Sequence, residues 1–361
     1  MVLKHKMKIL TILGARPQFI KAGTLSREIL KHTNIDEYIV HTGQHYDVNM
    51  SDVFFNEMHI PKPHYFLNIN GISHGAMTGQ MMEKIEEIAL NLQPDWIVVY
   101  GDTNSTLAGA LVASKLHIKL AHIEAGLRSF NMKMPEEINR ILTDRVSNLL
   151  FCPTQSAVDN LLEEGYQNFN VKICKSGDVM YDGAMFYKTL AKKPSFDLKK
   201  DFILSSVHRA ENTDDKTRLK EIFEALCELS QTVQVVLPLH PRTKQKIKSL
   251  NIDVTPLTIV EPVGYLEMIW LLQHTRCIVS DSGGIQKEAF FFQKECIILR
   301  DETEWVELVD LGVNHIVGAN KKQILSSVQK AMKRKYPQLD VQPYGEAKSA
   351  SIIIKELLKY E

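Results

Sequence analysis

The stretch Ile278-Val279-Ser280-Asp281-Ser282-Gly283-Gly284-Ile285-Gln286-Lys287-Glu288 runs from an apolar strand through Ser-Gly-Gly straight into a helix. Glycines let the backbone approach a ligand closely, and the free N–H groups at a helix start attract phosphate. Glu288 lies about one helical turn inside, where its carboxylate can reach a ribose diol. The segment reads as a nucleotide-diphosphate site. An ordinary glycine-containing strand-to-helix turn is the competing reading.

Outward from it, short runs rich in Val and Ile alternate with longer helical patterns. Strands are predicted at 8–13, 38–42, 96–100, 119–123 and 149–152, then at 202–207, 233–237, 257–260, 277–280, 296–299 and 315–317. Most are apolar on both faces, as parallel strands covered by helices must be. Helices are predicted at 76–92, 105–116, 135–148, 214–230, 265–273, 321–333 and 346–359. The alternation argues for an α/β chain of doubly wound, Rossmann-like sheets. At 361 residues the chain exceeds one ordinary core, so two domains of about 150–180 residues are expected. The pattern restarts at Phe202 after a polar stretch, which puts the boundary after residue 176: 1–176 for the first domain and 177–345 for the second. Ligands in this architecture bind at the carboxyl ends of the strands.

Lys plus Arg and Asp plus Glu both number 43, so the formal charge is zero and the basic stripe of a nucleic-acid binder is missing. No apolar run approaches the roughly 20 residues that span a bilayer, so no membrane partner is expected and the protein reads as cytoplasmic. The five cysteines are scattered, without zinc-type pairing or a disulfide framework, and read as buried thiols. The histidines lack the spacing of a metal site. No Gly-x-Gly-x-x-Gly occurs, which argues against a tightly bound dinucleotide.

Leu13-Gly14-Ala15-Arg16-Pro17-Gln18-Phe19-Ile20-Lys21 follows the first strand. Pro17 suits a first helical turn, and Arg16 and Lys21 place two cations where an anion is favoured. A solvated basic turn is the alternative. Tyr100-Gly101-Asp102 and His122-Ile123-Glu124 each put a carboxylate at the carboxyl end of a central strand, and Met134-Pro135-Glu136-Glu137 opens a helix. Each acid alone could be a cap or a dipole partner. Converging carboxylates raise one another's pKa, which suits proton transfer near neutrality. His208 and Arg209 end the first strand of the second domain, and Gln44 and His45 sit on a loop after the second strand.

Taken in order, these segments resemble the non-hydrolysing UDP-N-acetylglucosamine 2-epimerase family over nearly the whole chain. The matching segments are Gly14-Ala15-Arg16-Pro17-Gln18, Gly101-Asp102-Thr103, His122-Ile123-Glu124-Ala125-Gly126-Leu127-Arg128, Pro135-Glu136-Glu137-Ile138-Asn139-Arg140 and Ser280-Asp281-Ser282-Gly283-Gly284-Ile285-Gln286. The resemblance implies two Rossmann-like domains facing a cleft in a GT-B-like fold, with the C-terminal helix (346–361) packing back on the first. It also implies a homodimer, a UDP-sugar substrate and no cofactor. Family members eliminate UDP to give a glycal and add it back with a proton on the opposite face of carbon 2. By resemblance Asp102, Glu124 and Glu136 form the acid/base group. Arg16, His208, Ser282, Gly283 and Gly284 hold the diphosphate, Lys21 assists near the sugar, and Arg140 contacts substrate. Glu288 holds the ribose, and Met268 falls where the family packs an aromatic residue on uracil.

Two departures bear on the sugar. Trp305 stands where the family usually has an arginine, and Gln18 where it has glutamate. Both point to a larger, more acidic sugar than N-acetylglucosamine, as in the subgroup acting on UDP-2,3-diacetamido-2,3-dideoxy-D-glucuronate. A hydrolysing 2-epimerase, a GT-B glycosyltransferase and a nucleotide-sugar sensor are the alternatives.

Overall fold

A computed structural model describes residues 6–44 and 52–360. The chain divides into two compact units, Met1–Gly183 with Gln342–Glu361, and Ala184–Val341. Residues 177–183 and 342–345, expected with the second domain, belong to the first unit. The reason is local: the Asp178 N–H donates to the Tyr344 carbonyl at 3.0 Å, and Asp182 accepts from the Ala350 N–H at 2.9 Å.

The first unit holds seven parallel strands, β1 (Met7–Leu13), β2 (Ile35–His41), β3 (Tyr65–Phe66), β4 (Trp96–Tyr100), β5 (Lys119–Ile123), β6 (Leu149–Cys152) and β7 (Lys172–Lys175), in the order β3-β2-β1-β4-β5-β6-β7. β4 runs Trp-Ile-Val-Val-Tyr with every side chain buried. Both of its faces are covered, so an unbroken apolar run was the right signal, and each large side chain contributes about 1.5–3 kcal/mol. The two strands not foreseen are the outermost ones. β7 reads Lys-Ile-Cys-Lys, and an edge strand carries charge instead of an apolar run.

The second unit holds six parallel strands, β8 (Phe202–Ser206), β9 (Gln234–Pro238), β10 (Thr258–Val260), β11 (Ile278–Ser280), β12 (Cys296–Ile298) and β13 (Asn314–Ile316), in the order β10-β9-β8-β11-β12-β13. The expected α/β class with two Rossmann-like sheets is what the chain forms. In each sheet the order reverses once, between β1 and β4 and between β8 and β11. Crossovers leave in opposite directions there, and the loops after those strands are splayed apart at their carboxyl ends.

The last helix, Ser349–Leu358, starts three residues later than expected because Ala347 sits at φ +55°, outside helical space. It packs on the helix Arg16–Ile29 through a face that buries Ile353, Ile354 and Leu357. Of the cysteines, Cys152, Cys277 and Cys296 are buried, while Cys174 and Cys227 are half-buried. All five are free thiols.

The turn after β5 is tight. Gly126 sits at φ +77°, and a Cβ there would run into the Ala157 carbonyl oxygen. Gly126→Ala is therefore expected to destabilise the protein by more than about 1 kcal/mol. Gly284→Ala, whose Cβ meets nothing within 4 Å, should stay within about 0.5 kcal/mol. Denaturant melts of the two variants check this, and equal midpoints would contradict it.

Candidate active site

In the first unit the site gathers at the β1/β4 reversal. Asp102 follows β4, and its carboxylate pairs with Arg140 Nη2, while Arg140 Nη1 donates to Glu137 at 2.8 Å. Glu124 follows β5 and pairs with Lys21, which reaches it from the helix Arg16–Ile29. Glu124 is held at φ +73°, where a side chain other than glycine costs about 1–2 kcal/mol. What holds it is Phe151, whose carbonyl accepts the N–H groups of both Glu124 and Ala125 at 3.1 and 3.0 Å. Burial lifts the Asp102 carboxyl above its ordinary range. The Glu124 charge adds to the rise, while Arg140 and Lys21 oppose it. Two carboxyls from adjacent loops thus share one field with two cations, which is the arrangement a proton-transfer site needs.

Glu136 is placed differently. It is exposed on the first turn of the helix Pro135–Val146, and no hydrogen bond is recorded between it and Asp102 or Glu124. Its neighbour Glu137 is fully buried and accepts from the N–H groups of Ser129 and Phe130 at 2.9 and 2.8 Å. Glu137 therefore ties the loop ahead of the helix and steadies Arg140. Arg140, expected as a substrate contact, gives Nη1 to Glu137 and Nη2 to Asp102. Arg16 opens its helix half-buried. Gln44 accepts from the N–H and hydroxyl of Ser105 at 2.9 and 2.7 Å, and His45 lies outside the described residues.

In the second unit the site gathers at the β8/β11 reversal. Ser282 caps the helix Gly283–Phe291 by position, with Gly283 buried and Gly284 exposed. Gly283 lets Glu304 lie against the backbone, since a Cβ there would strike its carboxylate. His208 follows β8. Burial pulls its pKa below the usual histidine value, Arg209 and His240 pull the same way, and Asp281 opposes them. Asp281 is fully buried and accepts the N–H groups of His208 and Arg209 at about 3.0 Å, plus Asn212 Nδ2 at 3.1 Å. It fastens the β8 loop to the Ser-Gly-Gly turn. Glu288 is buried and accepts from the Tyr265 hydroxyl at 2.9 Å. Met268 lies half-buried one turn beyond Tyr265 on the helix Tyr265–His274.

A sequence model described as UDP-N-acetylglucosamine 2-epimerase matches residues 27–358. The chain belongs to that family. It is 55% identical to the UDP-2,3-diacetamido-2,3-dideoxy-D-glucuronate 2-epimerase of Pseudomonas aeruginosa, over 98% of this chain and all of the relative. Among solved structures, the UDP-GlcNAc 2-epimerase of Methanocaldococcus jannaschii in complex with UDP-GlcNAc and UDP superposes with a TM-score of 0.87 at 43% identity, covering 98% of this chain and 100% of that one. The UDP-GlcNAc 2-epimerase of Neisseria meningitidis bound to UDP-GlcNAc gives 0.86 at 32% identity, with coverage of 98% and 100%.

Within this epimerase family the two sequence departures now have positions. Trp305 is buried, its indole N–H donates to the Gly283 carbonyl at 3.0 Å, and Lys287 Nζ lies 4.2 Å from its ring centroid. The indole braces the glycine turn and has no N–H left for a sugar. Gln18 also turns inward instead of facing Arg16 and Lys21. Its Oε1 accepts from the Gly14 and Ala15 N–H groups at 2.7 and 3.2 Å, and its Nε2 donates to the Tyr100 carbonyl at 2.7 Å. It laces the β1 loop to the β4 loop. Glu137, Asp281 and Tyr265 are site-building residues that motif reading passed over. A helical-face argument would have found the first, since Glu137, Arg140 and Asp144 recur at i, i+3 and i+7.

Gln18→Ala leaves buried N–H groups unpartnered, at about 1–3 kcal/mol for each one. We expect a loss in that range or above in denaturant unfolding, and a smaller one for Gln18→Glu, which keeps the acceptor. Equal stability of the alanine variant and the parent would show that the lacing is not structural.

Proposed function

We propose that the protein inverts carbon 2 of a UDP-linked N-acetylated sugar, without a redox cofactor, by removing and re-adding UDP. The observation that carries this is the pairing of Asp102 and Glu124 on adjacent loops, each braced by its own cation. Carbon 2 has no neighbouring carbonyl, so its hydrogen cannot leave as an enolising proton. Instead a base takes that proton while the bond from carbon 1 to the diphosphate oxygen breaks, giving the glycal and UDP. A proton is then delivered to the opposite face of carbon 2 as the diphosphate oxygen returns to carbon 1. Asp102, Glu124 and the exposed Glu136 supply base and acid. Lys21 and Arg140 balance the carboxylate charge. His208, Arg16 and the Ser282-Gly283-Gly284 turn take the departing diphosphate, Glu288 the ribose, and Met268 the uracil.

The sugar we assign is UDP-2,3-diacetamido-2,3-dideoxy-D-glucuronate, going to its manno epimer for surface polysaccharide. The support is the 55% identity to the Pseudomonas aeruginosa enzyme of that name. UDP-N-acetylglucosamine is the second reading, supported by the 43% identity to the Methanocaldococcus jannaschii enzyme solved with that compound. We place the reaction in a cytoplasmic homodimer. No described helix is long and apolar enough to cross a membrane, and light scattering in solution reads the oligomer directly.

Asp102→Asn and Glu124→Gln should each lower turnover by about 10²–10⁴-fold, with UDP affinity by calorimetry within about threefold of the parent. Substantial turnover in both variants would remove these residues from the mechanism.

With the two UDP-sugars compared side by side in deuterated water, proton NMR should show faster epimerisation of the diacetamido glucuronate and deuterium entering carbon 2. Faster epimerisation of UDP-N-acetylglucosamine would reverse the assignment. Accumulating free UDP would indicate hydrolysis instead.

A further inference from the structure

His122, near the end of β5, is fully buried beneath the acid pair and has no role in the chemistry above. Its Nε2 lies 2.7 Å from the Gly101 carbonyl oxygen and its Nδ1 lies 2.6 Å from Asp144 Oδ1. A carbonyl oxygen can only accept, so Nε2 carries a hydrogen. Asp144 is fully buried and also accepts from Arg128 Nη1 at 2.7 Å and from the Gly126 N–H at 3.2 Å. Burial alone would lift its carboxyl, but His122 and Arg128 outweigh burial and hold it below the ordinary range. An ionised carboxylate offers only lone pairs, so Nδ1 carries a hydrogen as well. The ring is enclosed between two acceptors.

The cluster is bounded on all sides. Arg128 is paired again by Glu164, at 2.6 and 2.8 Å. Cys152 and Tyr166 are further titratable neighbours. Burial pushes both up, Tyr166 to about 12, so neither contributes charge near neutrality. Its outputs reach both working turns. Gly101 immediately precedes Asp102, and Glu124 lies between His122 and Gly126, which the same Asp144 holds.

We propose that His122 is a positioning residue, whose Nε2–H grips the Gly101 carbonyl and sets Asp102 in register with Glu124, with Asp144 as its counter-ion. This rests on the epimerase reading for its consequence, though not for its geometry. A displacement of about 1 Å in a reacting group can cost about 10²-fold in rate, so the grip should be read in kcat and not in substrate binding.

Two amide variants separate positioning from simple ion pairing. His122→Gln places a donor near the Nε2 position and keeps the Gly101 contact. His122→Asn places one near Nδ1 and keeps the Asp144 contact. With UDP-2,3-diacetamido-2,3-dideoxy-D-glucuronate and UDP-N-acetylglucosamine as probes, the Asn variant should lose about 100-fold in kcat. The Gln variant should lose about tenfold or less, with both KM values within about threefold of the parent. An Asn variant equal to or better than Gln would overturn the proposal. Nitrogen-15 NMR of the unmodified protein should show a hydrogen on each ring nitrogen of His122 at the pH of turnover, and a single hydrogen would also overturn it. The NMR reading needs no substrate. A parent that turns over neither sugar would therefore refute the epimerase reading and leave this inference standing on its own data.

Discussion

The reversal of strand order, once in each sheet, is the constraint on which the rest depends. A parallel strand needs a crossover to reach its neighbour, and the crossovers on the two sides of β1 and β4 diverge, as do those beside β8 and β11. Backbone at the carboxyl ends of those four strands is left without the helix-to-helix cover found elsewhere. Every candidate group except Lys21, Glu124, Glu136, Arg140, Glu288 and Met268 lies on, or directly after, a loop that follows one of those strands. These six come from an adjoining strand end or helix of their own unit.

Both openings are lined by buried polar groups that hold loops together. Glu137 and Gln18 stitch loops together under Asp102, and Asp281 stitches the His208 loop to the glycine turn. Each of these groups satisfies several backbone N–H or carbonyl groups at once. A buried carboxylate with a full set of donors is tolerable, whereas one left half-satisfied is not. The consequence is that candidate site residues sit beside structural acids in sequence, as Glu136 sits beside Glu137 and Ser282 beside Asp281. Glu124 illustrates the cost of such precision. It is kept in left-handed backbone space by paired N–H groups on the Phe151 carbonyl, so its carboxylate turns toward Lys21.

Much of this was legible beforehand. Strands buried on both faces, such as Trp96–Tyr100 and Lys119–Ile123, show as apolar runs because nothing polar can be accommodated there. Glycine and proline marked the turns, and the segments around Asp102, Glu124 and Ser282 pointed to the family. The edge strands β3 and β7 of the first sheet escaped, because one is two residues long and the other carries a lysine at each end. The departures at Gln18 and Trp305 were readable as changes in chemistry, but not in direction. Both side chains face the scaffold, and facing is a property of the packed element, not of the residue.

The chain's own order of residues settled its α/β class, its two sheets and the residue types available at each strand end. These follow from periodicity and from backbone geometry within a few residues. Which acid is buried, which cation answers which carboxylate, and which acceptors enclose the His122 ring were decided only when distant segments met. Asp144 is far from His122 in sequence and 2.6 Å away in space. Hydrogen-bond satisfaction is a balance among groups brought together by folding, so no local pattern could have stated it.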